Sequence, residues 1–125
     1  IVMAGKSMGG RMSTHLAAKG ADCAGLAMFG YPLHPPGKPE RLRRAHLPEI
    51  AAPMLFLQGT RDPLCNLEDL RQVLGDVRAA VEIHVVEGGD HSFKVPKRSG
   101  RTHDDVLDEL ADRCEAWLGR LKPQK

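Results

Sequence analysis

Hydrophobic and polar positions along the chain divide it into strands at two-residue or continuous apolar pitch and helices at four-residue pitch. Residues 1–4, Ile-Val-Met-Ala, are a short continuous apolar run ending at Gly5, as a strand buried in a parallel sheet requires. A helix is expected from Gly9 or Gly10 to Lys19, with Met8, Met12 and Leu16 four apart on one face and Gly20 as its cap. Residues 23–29 form the next apolar run. From 30 to 48 the pattern breaks into prolines, Gly37 and the basic residues Lys38, Arg41, Arg43 and Arg44, which predicts a loop or short lid-like excursion with a short helix after Pro39.

The third strand is read at 53–57, led by a proline tolerated at a strand's first position. Asn66 then caps a helix with Glu68 and Asp69 in its first turn and Leu67, Leu70, Leu74 and Val77 on its apolar face. Residues 81–86 alternate Val81, Ile83 and Val85 with Glu82 and His84, the mark of an edge strand whose His84 faces solvent. Thr102 opens the last helix, with Asp105 placed for a capping box. Its stripe of Val106, Leu107, Leu110, Cys114, Trp117, Leu118 and Leu121 is expected to pack on the sheet. The order β-α-β-loop-β-α-β-α predicts an α/β fold: a mostly parallel four-stranded sheet flanked by helices, within one domain over 1–125.

Composition adds limits. With 42% hydrophobic and 27% charged residues the chain is an ordinary globular domain, and no apolar run approaches the roughly 18 residues that cross a bilayer. Cys23, Cys65 and Cys114 lack CxxC spacing, so they suggest free thiols, a reducing cytoplasmic setting and no metal site. A formal charge of +2 and 4% aromatics argue against a nucleic-acid surface. The chain opens directly on strand-like residues without an initiator Met, which reads as a truncated chain.

Three residues fall where strand ends converge on one edge of such a sheet. Gly5-Lys6-Ser7-Met8-Gly9 is a G-x-S-x-G between a strand and a helix, the setting of a nucleophile elbow, in which the two glycines keep Cβ atoms out of a sharp turn. The Met8 N–H at the helix start is placed to face a developing oxyanion. Asp62 follows the third strand in Gly59-Thr60-Arg61-Asp62, and His91 follows the fourth in Gly88-Gly89-Asp90-His91. A serine needs a base to take its proton, and that base needs a carboxylate to fix its tautomer. Asp90, as the neighbour of His91 in sequence, is poorly placed to reach that ring and is read as a turn residue.

The segments Gly5-Lys6-Ser7-Met8-Gly9-Gly10-Arg11, Leu57-Gln58-Gly59-Thr60-Arg61-Asp62 and Glu87-Gly88-Gly89-Asp90-His91-Ser92-Phe93 carry a family resemblance. The whole chain resembles the C-terminal half of small α/β-hydrolases related to dienelactone hydrolases. It is similar to the hydrolase-like group that includes an animal testis-expressed protein and a subunit of a histone acetyltransferase complex. The resemblance implies a triad of Ser7, Asp62 and His91, an ester or related carbonyl substrate and no cofactor. It also implies strands before residue 1 whose loop carries the fold's second oxyanion donor. Dienelactone-type members use cysteine as nucleophile where this chain has Ser7.

Two other readings stand beside this one. One is a catalytically inactive interaction module, since the resembled group includes a complex subunit. The other takes Gly5-Lys6-Ser7 as the end of a phosphate-binding G-x-x-x-x-G-K-[ST] loop, which requires residues 2–4 to be loop. Lys38, Arg41, Arg43 and Arg44, with Lys94, Lys97, Arg98 and Arg101, form either two solvated loops or a rim attracting an anionic substrate, for which Arg43, Arg44 and Lys94 are the candidates. His15, His34, His46 and His103 are read as packing or surface residues, Cys65 as a small buried hydrophobe and Trp117 as a core anchor.

Overall fold

In the computed structural model, which describes residues 1–121, every strand is parallel to its neighbour. Strands β1 (Val2–Lys6), β2 (Gly25–Phe29), β3 (Met54–Gly59) and β4 (Val81–Val86) lie in sequence order, with helices α1 (Met8–Ala18) and α2 (Leu67–Leu74) as crossovers and α3 (His103–Arg120) last. All four strand ends therefore face one edge. The strand character of residues 2–4, paired to β2 from Val2 against Gly25 to Ala4 against Ala27, removes the phosphate-loop reading.

Side-chain alternation divides the core between the sheet's two faces. Leu26, Met28, Met54 and Phe56 pack with Leu70, Val73 and Leu74 of α2, with Tyr31, Leu33 and Leu47 of the excursion and with Ile50 just after it. On the other face Ala27, Leu55, Leu57 and Val86 meet Phe93 and α3's Val106, Leu110 and Trp117. Trp117 is the core anchor the pattern predicted, 5% exposed. Caps hold as read: the Asn66 side chain accepts from the Glu68 and Asp69 amides, and Thr102 and Asp105 form a reciprocal capping box.

Several expectations are corrected. Met8, Met12 and Leu16 share a face of α1, but each is about half exposed; the helix buries Gly10, which lies against Gly5 of β1 and Met28 of β2, and Thr14, which meets His46. Leu107 and Leu118 of α3 are likewise 46% and 47% exposed, so only part of its stripe reaches the sheet. His84 does not point to solvent; its ring meets Glu109 of α3 at 2.5 Å. The excursion is anchored at its start, where Tyr31, Leu33 and His34 are buried. Its helical turn lies at Leu47–Glu49, where Pro48 takes a first-turn position, rather than after Pro39.

Candidate active site

Ser7 sits at the junction of β1 and α1 with φ 52° and ψ −118°, a backbone conformation rare for any residue with a Cβ. The surroundings hold it there. Its amide donates to Phe29 O at 2.9 Å and its carbonyl accepts from the Arg11 amide at 3.1 Å, so strand and helix both clamp the turn. A Cβ on Gly5 would collide with the Gly9 carbonyl and the Gly10 amide, and one on Gly10 would lie 2.8 Å from Gly5 O. The close approach is thus between Gly5 and Gly10, whereas a Cβ on Gly9 meets nothing within 4 Å. This corrects the reading in which both motif glycines clear the turn.

Ser7 Oγ lies 2.8 Å from His91 Nε2, and His91 Nδ1 lies 2.7 Å from Asp62 Oδ2. Proton positions follow from the partners: a carboxylate accepts only, so Nδ1–H donates to Asp62 and Nε2 is left to accept the Ser7 hydroxyl proton. The Asp62 side chain is 1% exposed and the His91 side chain 24% exposed, which leaves the ring open to the site while its partner is dry. Asp62 Oδ1 accepts from the Leu64 amide at 2.8 Å, and Oδ2 also accepts from Gln58 Nε2 at 3.0 Å.

The loop that carries His91 is tied down on all sides. Asp90 Oδ1 accepts from the Ser92 and Lys94 amides, each at 2.9 Å, so it fixes the turn rather than touching the imidazole. Burial pushes the Asp90 carboxyl up, but those two amide bonds, with Lys94 and Arg61 nearby, hold it below its ordinary value. Phe93, at φ 64°, folds back into the core. Thr60 Oγ1 accepts from the Gly88 amide at 2.7 Å, joining the loops of Asp62 and His91. At Gly30, φ 70°, a Cβ would stand 3.2 Å from His91 O and 3.5 Å from its ring, so the chain leaving β2 passes directly under the histidine.

The remaining candidates are spread wider. Met8 is the first residue of α1, where an amide has no acceptor within the helix. Arg43 is partly buried, and its amide donates to Leu33 O; Arg44 and Lys94 are exposed. Among the described residues no side-chain hydrogen bond links these three to Ser7, His91 or Asp62. Arg101 is taken by Glu109 at 2.5 Å. Cys65 is 2% exposed, and burial, with Asp62 and Asp69 close by, pushes its thiol up to about 12, leaving it inert. His15 and His46 stack with ring centroids 3.7 Å apart. No group of three or more metal-ligating side chains occurs among the described residues, and no helix among them is long and apolar enough to cross a membrane.

The profile of the alpha/beta hydrolase domain family matches residues 1–119. Among solved structures, an alpha-beta serine hydrolase homologue from Coxiella burnetii is 24% identical with a TM-score of 0.65, over 90% of this chain and 48% of that one. The esterase domain of a Rhodothermus marinus protein is 15% identical with a TM-score of 0.71, over 96% of this chain and 60% of that one. Esterase 2 of Thermogutta terrifontis is 23% identical with a TM-score of 0.62, over 99% and 57%. The chain thus spans about half the length of the structures it matches, and at these identities the likeness concerns the fold.

Proposed function

Since the chain belongs to the alpha/beta hydrolase domain family, we propose that it supplies the catalytic serine, acid and base of an ester-cleaving serine hydrolase. The observation that carries this reading is the unbroken hydrogen-bond chain from Ser7 Oγ through the His91 ring to Asp62. His91 Nε2 takes the Ser7 proton as Oγ attacks the substrate carbonyl. Asp62 stabilises the imidazolium, and the Met8 N–H faces the new oxyanion. The same imidazolium protonates the leaving group, after which His91 activates water to release the acid from the acyl-enzyme. The cycle uses side chains, a backbone amide and water and calls for no metal or organic cofactor.

Within the family we place the chain with the dienelactone-hydrolase-related group, on its segments 5–11, 57–62 and 87–93, and take its substrate as a small-molecule ester or related carbonyl compound. The test is labelling of the full-length protein with a fluorophosphonate, which reacts with an activated serine. Ser7 is expected to carry the probe, and His91→Ala to suppress labelling. Labelling that survives Ser7→Ala overturns the assignment.

A further inference from the structure

Gln58 is the one polar residue in the run Met54-Leu55-Phe56-Leu57 and onward in β3, and it is fully buried, 0% exposed. Alternation puts it on the face of Met54 and Phe56, next to the Asp62 loop. Its Nε2 stands 3.0 Å from Asp62 Oδ2 and 3.3 Å from Gly59 O. Both neighbours accept only, so the amide is oriented with NH₂ toward Asp62 and its carbonyl away. That carbonyl, Oε1, is buried without a partner among the described residues. A buried acceptor left unpaired is costly, and Leu or Met would fill this volume with no such cost. The side chain's retained benefit is therefore on the Nε2 side.

Asp62 Oδ2 is also the oxygen that receives His91 Nδ1–H, so one oxygen accepts from the catalytic ring and from Gln58 at once. Together with the Leu64 amide on Oδ1, the two donors fix both carboxylate oxygens, and hence the plane in which Asp62 meets the ring. We propose that Gln58 is a positioning residue of the hydrolase, holding Asp62 Oδ2 in line with His91 Nδ1 through its Nε2 hydrogen bond. This rests on the serine-hydrolase reading above. Gln58 touches neither substrate nor Ser7; it acts through Asp62.

The test measures kcat/KM on a reactive aryl ester against pH in the full-length protein, per mole of folded protein. Gln58→Met keeps length and loses the donor, and is expected to lower kcat/KM about tenfold to a hundredfold with little change in KM, the weight of a hydrogen bond to a charged group. Gln58→Glu provides the internal rescue. Buried beside Asp62, the introduced carboxyl holds its proton well above the ordinary carboxyl range and donates in that form. As pH rises it ionises, the donor disappears and two carboxylates face each other. The ratio of Gln58→Glu to wild-type kcat/KM is therefore expected to fall with rising pH, which a residue that merely fills space does not produce. Wild-type kcat/KM in Gln58→Met, or a Gln58→Glu ratio flat across pH, overturns the proposal; the second measurement stands even where Gln58→Met does not fold. Ser7→Ala separates the two levels: wild-type turnover there removes the serine reading itself, while an inactive Ser7→Ala beside unaffected Gln58 variants removes only the role of Gln58.

Discussion

Asp62 and Asp90 both lie near His91, yet only Asp62 reaches the ring: its Oδ2 is 2.7 Å from Nδ1, whereas Asp90 Oδ1 is occupied by the Ser92 and Lys94 amides. The contrast makes the acid testable. Asp62→Asn turns an acceptor into a side chain that favours the wrong histidine tautomer, and is expected to lower kcat by about 10⁴ at neutral pH. Asp90→Asn keeps an oxygen for the two amides and is expected to lose less than about tenfold. Steady-state kinetics on the same ester for both variants decides; a larger loss at Asp90 reverses the assignment.

Acid should loosen the excursion at its far end. His46 stacks on His15, and its Nε2 lies 2.7 Å from Thr14 Oγ1. Burial, the His15 ring and the Arg11 guanidinium hold the His46 imidazole down to about 4. Burial, Arg11 and Lys19 lower His15 in the same direction. A base depressed in the fold takes up its proton more readily when unfolded, so its contribution to stability is complete above about pH 6.5 and is lost as pH falls toward 4. Urea midpoints are expected to decline over that window, and His46→Phe, which keeps a stacking ring without a proton, to flatten the decline. An unchanged slope in His46→Phe contradicts the prediction.

Arg44 and Lys94 are exposed, and Lys94 follows His91 by three positions, so a cationic rim that attracts an anionic substrate predicts a measurable salt effect. For a carboxylated ester kcat/KM is expected to fall with added salt more steeply than for its neutral analogue. Arg44→Glu with Lys94→Glu should reduce the difference while leaving neutral esters untouched. Parallel salt dependences mean that the loops are simply solvated. Arg101 belongs to neither outcome, because Glu109 already neutralises it.

The 125-residue chain on its own is expected to self-associate. Among the described residues β1 is paired only to β2, and α1 beside it exposes Met8, Met12 and Leu16. An open strand edge next to an apolar helix face is a pairing surface. Light scattering on the isolated chain should report species larger than a monomer, and Met12→Lys with Leu16→Lys should reduce them; a monodisperse wild-type monomer counts against this.

Much of this arrangement is legible in the pattern because its causes are local. The order of elements, the Asn66 cap and the Thr102 capping box depend on residues a few positions apart, and Ser7, Asp62 and His91 each stand just past a strand end. What the pattern hides is set by partners far along the chain. The apolar run puts the end of β3 at Leu57, yet Gln58 and Gly59 both pair with β4 in register, Gln58 against Val85. The reason a glutamine is buried there is a carboxylate four positions on, beyond a turn. His84 has the same history: its alternation points outward, and only the return of α3 brings Glu109 to it. Leu107 and Leu118 look like core by spacing, and no periodicity distinguishes them from Val106 and Leu110.

The glycines of the elbow give the sharpest separation between motif and structure. Read as a motif, Gly5 and Gly9 are equivalent, each flanking Ser7 by two positions. In space they are not. A Cβ at Gly5 runs into the Gly9 carbonyl and the Gly10 amide, which are backbone atoms of α1 and can yield only by moving the helix away from β1. Such overpacking typically costs 1–3 kcal/mol or more, and here it also shifts the turn that aims Ser7 at His91. A Cβ at Gly9 meets open space, and Gly9 lies in the first turn of α1, where alanine is the better helix former by up to about 1 kcal/mol. Gly5→Ala is therefore expected to lower the urea midpoint and abolish fluorophosphonate labelling of the full-length protein. Gly9→Ala should leave the midpoint unchanged or raised. Gly10→Ala should resemble Gly5→Ala, because its Cβ would stand 2.8 Å from Gly5 O although Gly10 lies outside the motif. Denaturation and labelling of the three variants side by side decide the matter, and equal losses at Gly5 and Gly9 would show that the motif, rather than the contact between β1 and α1, governs the turn.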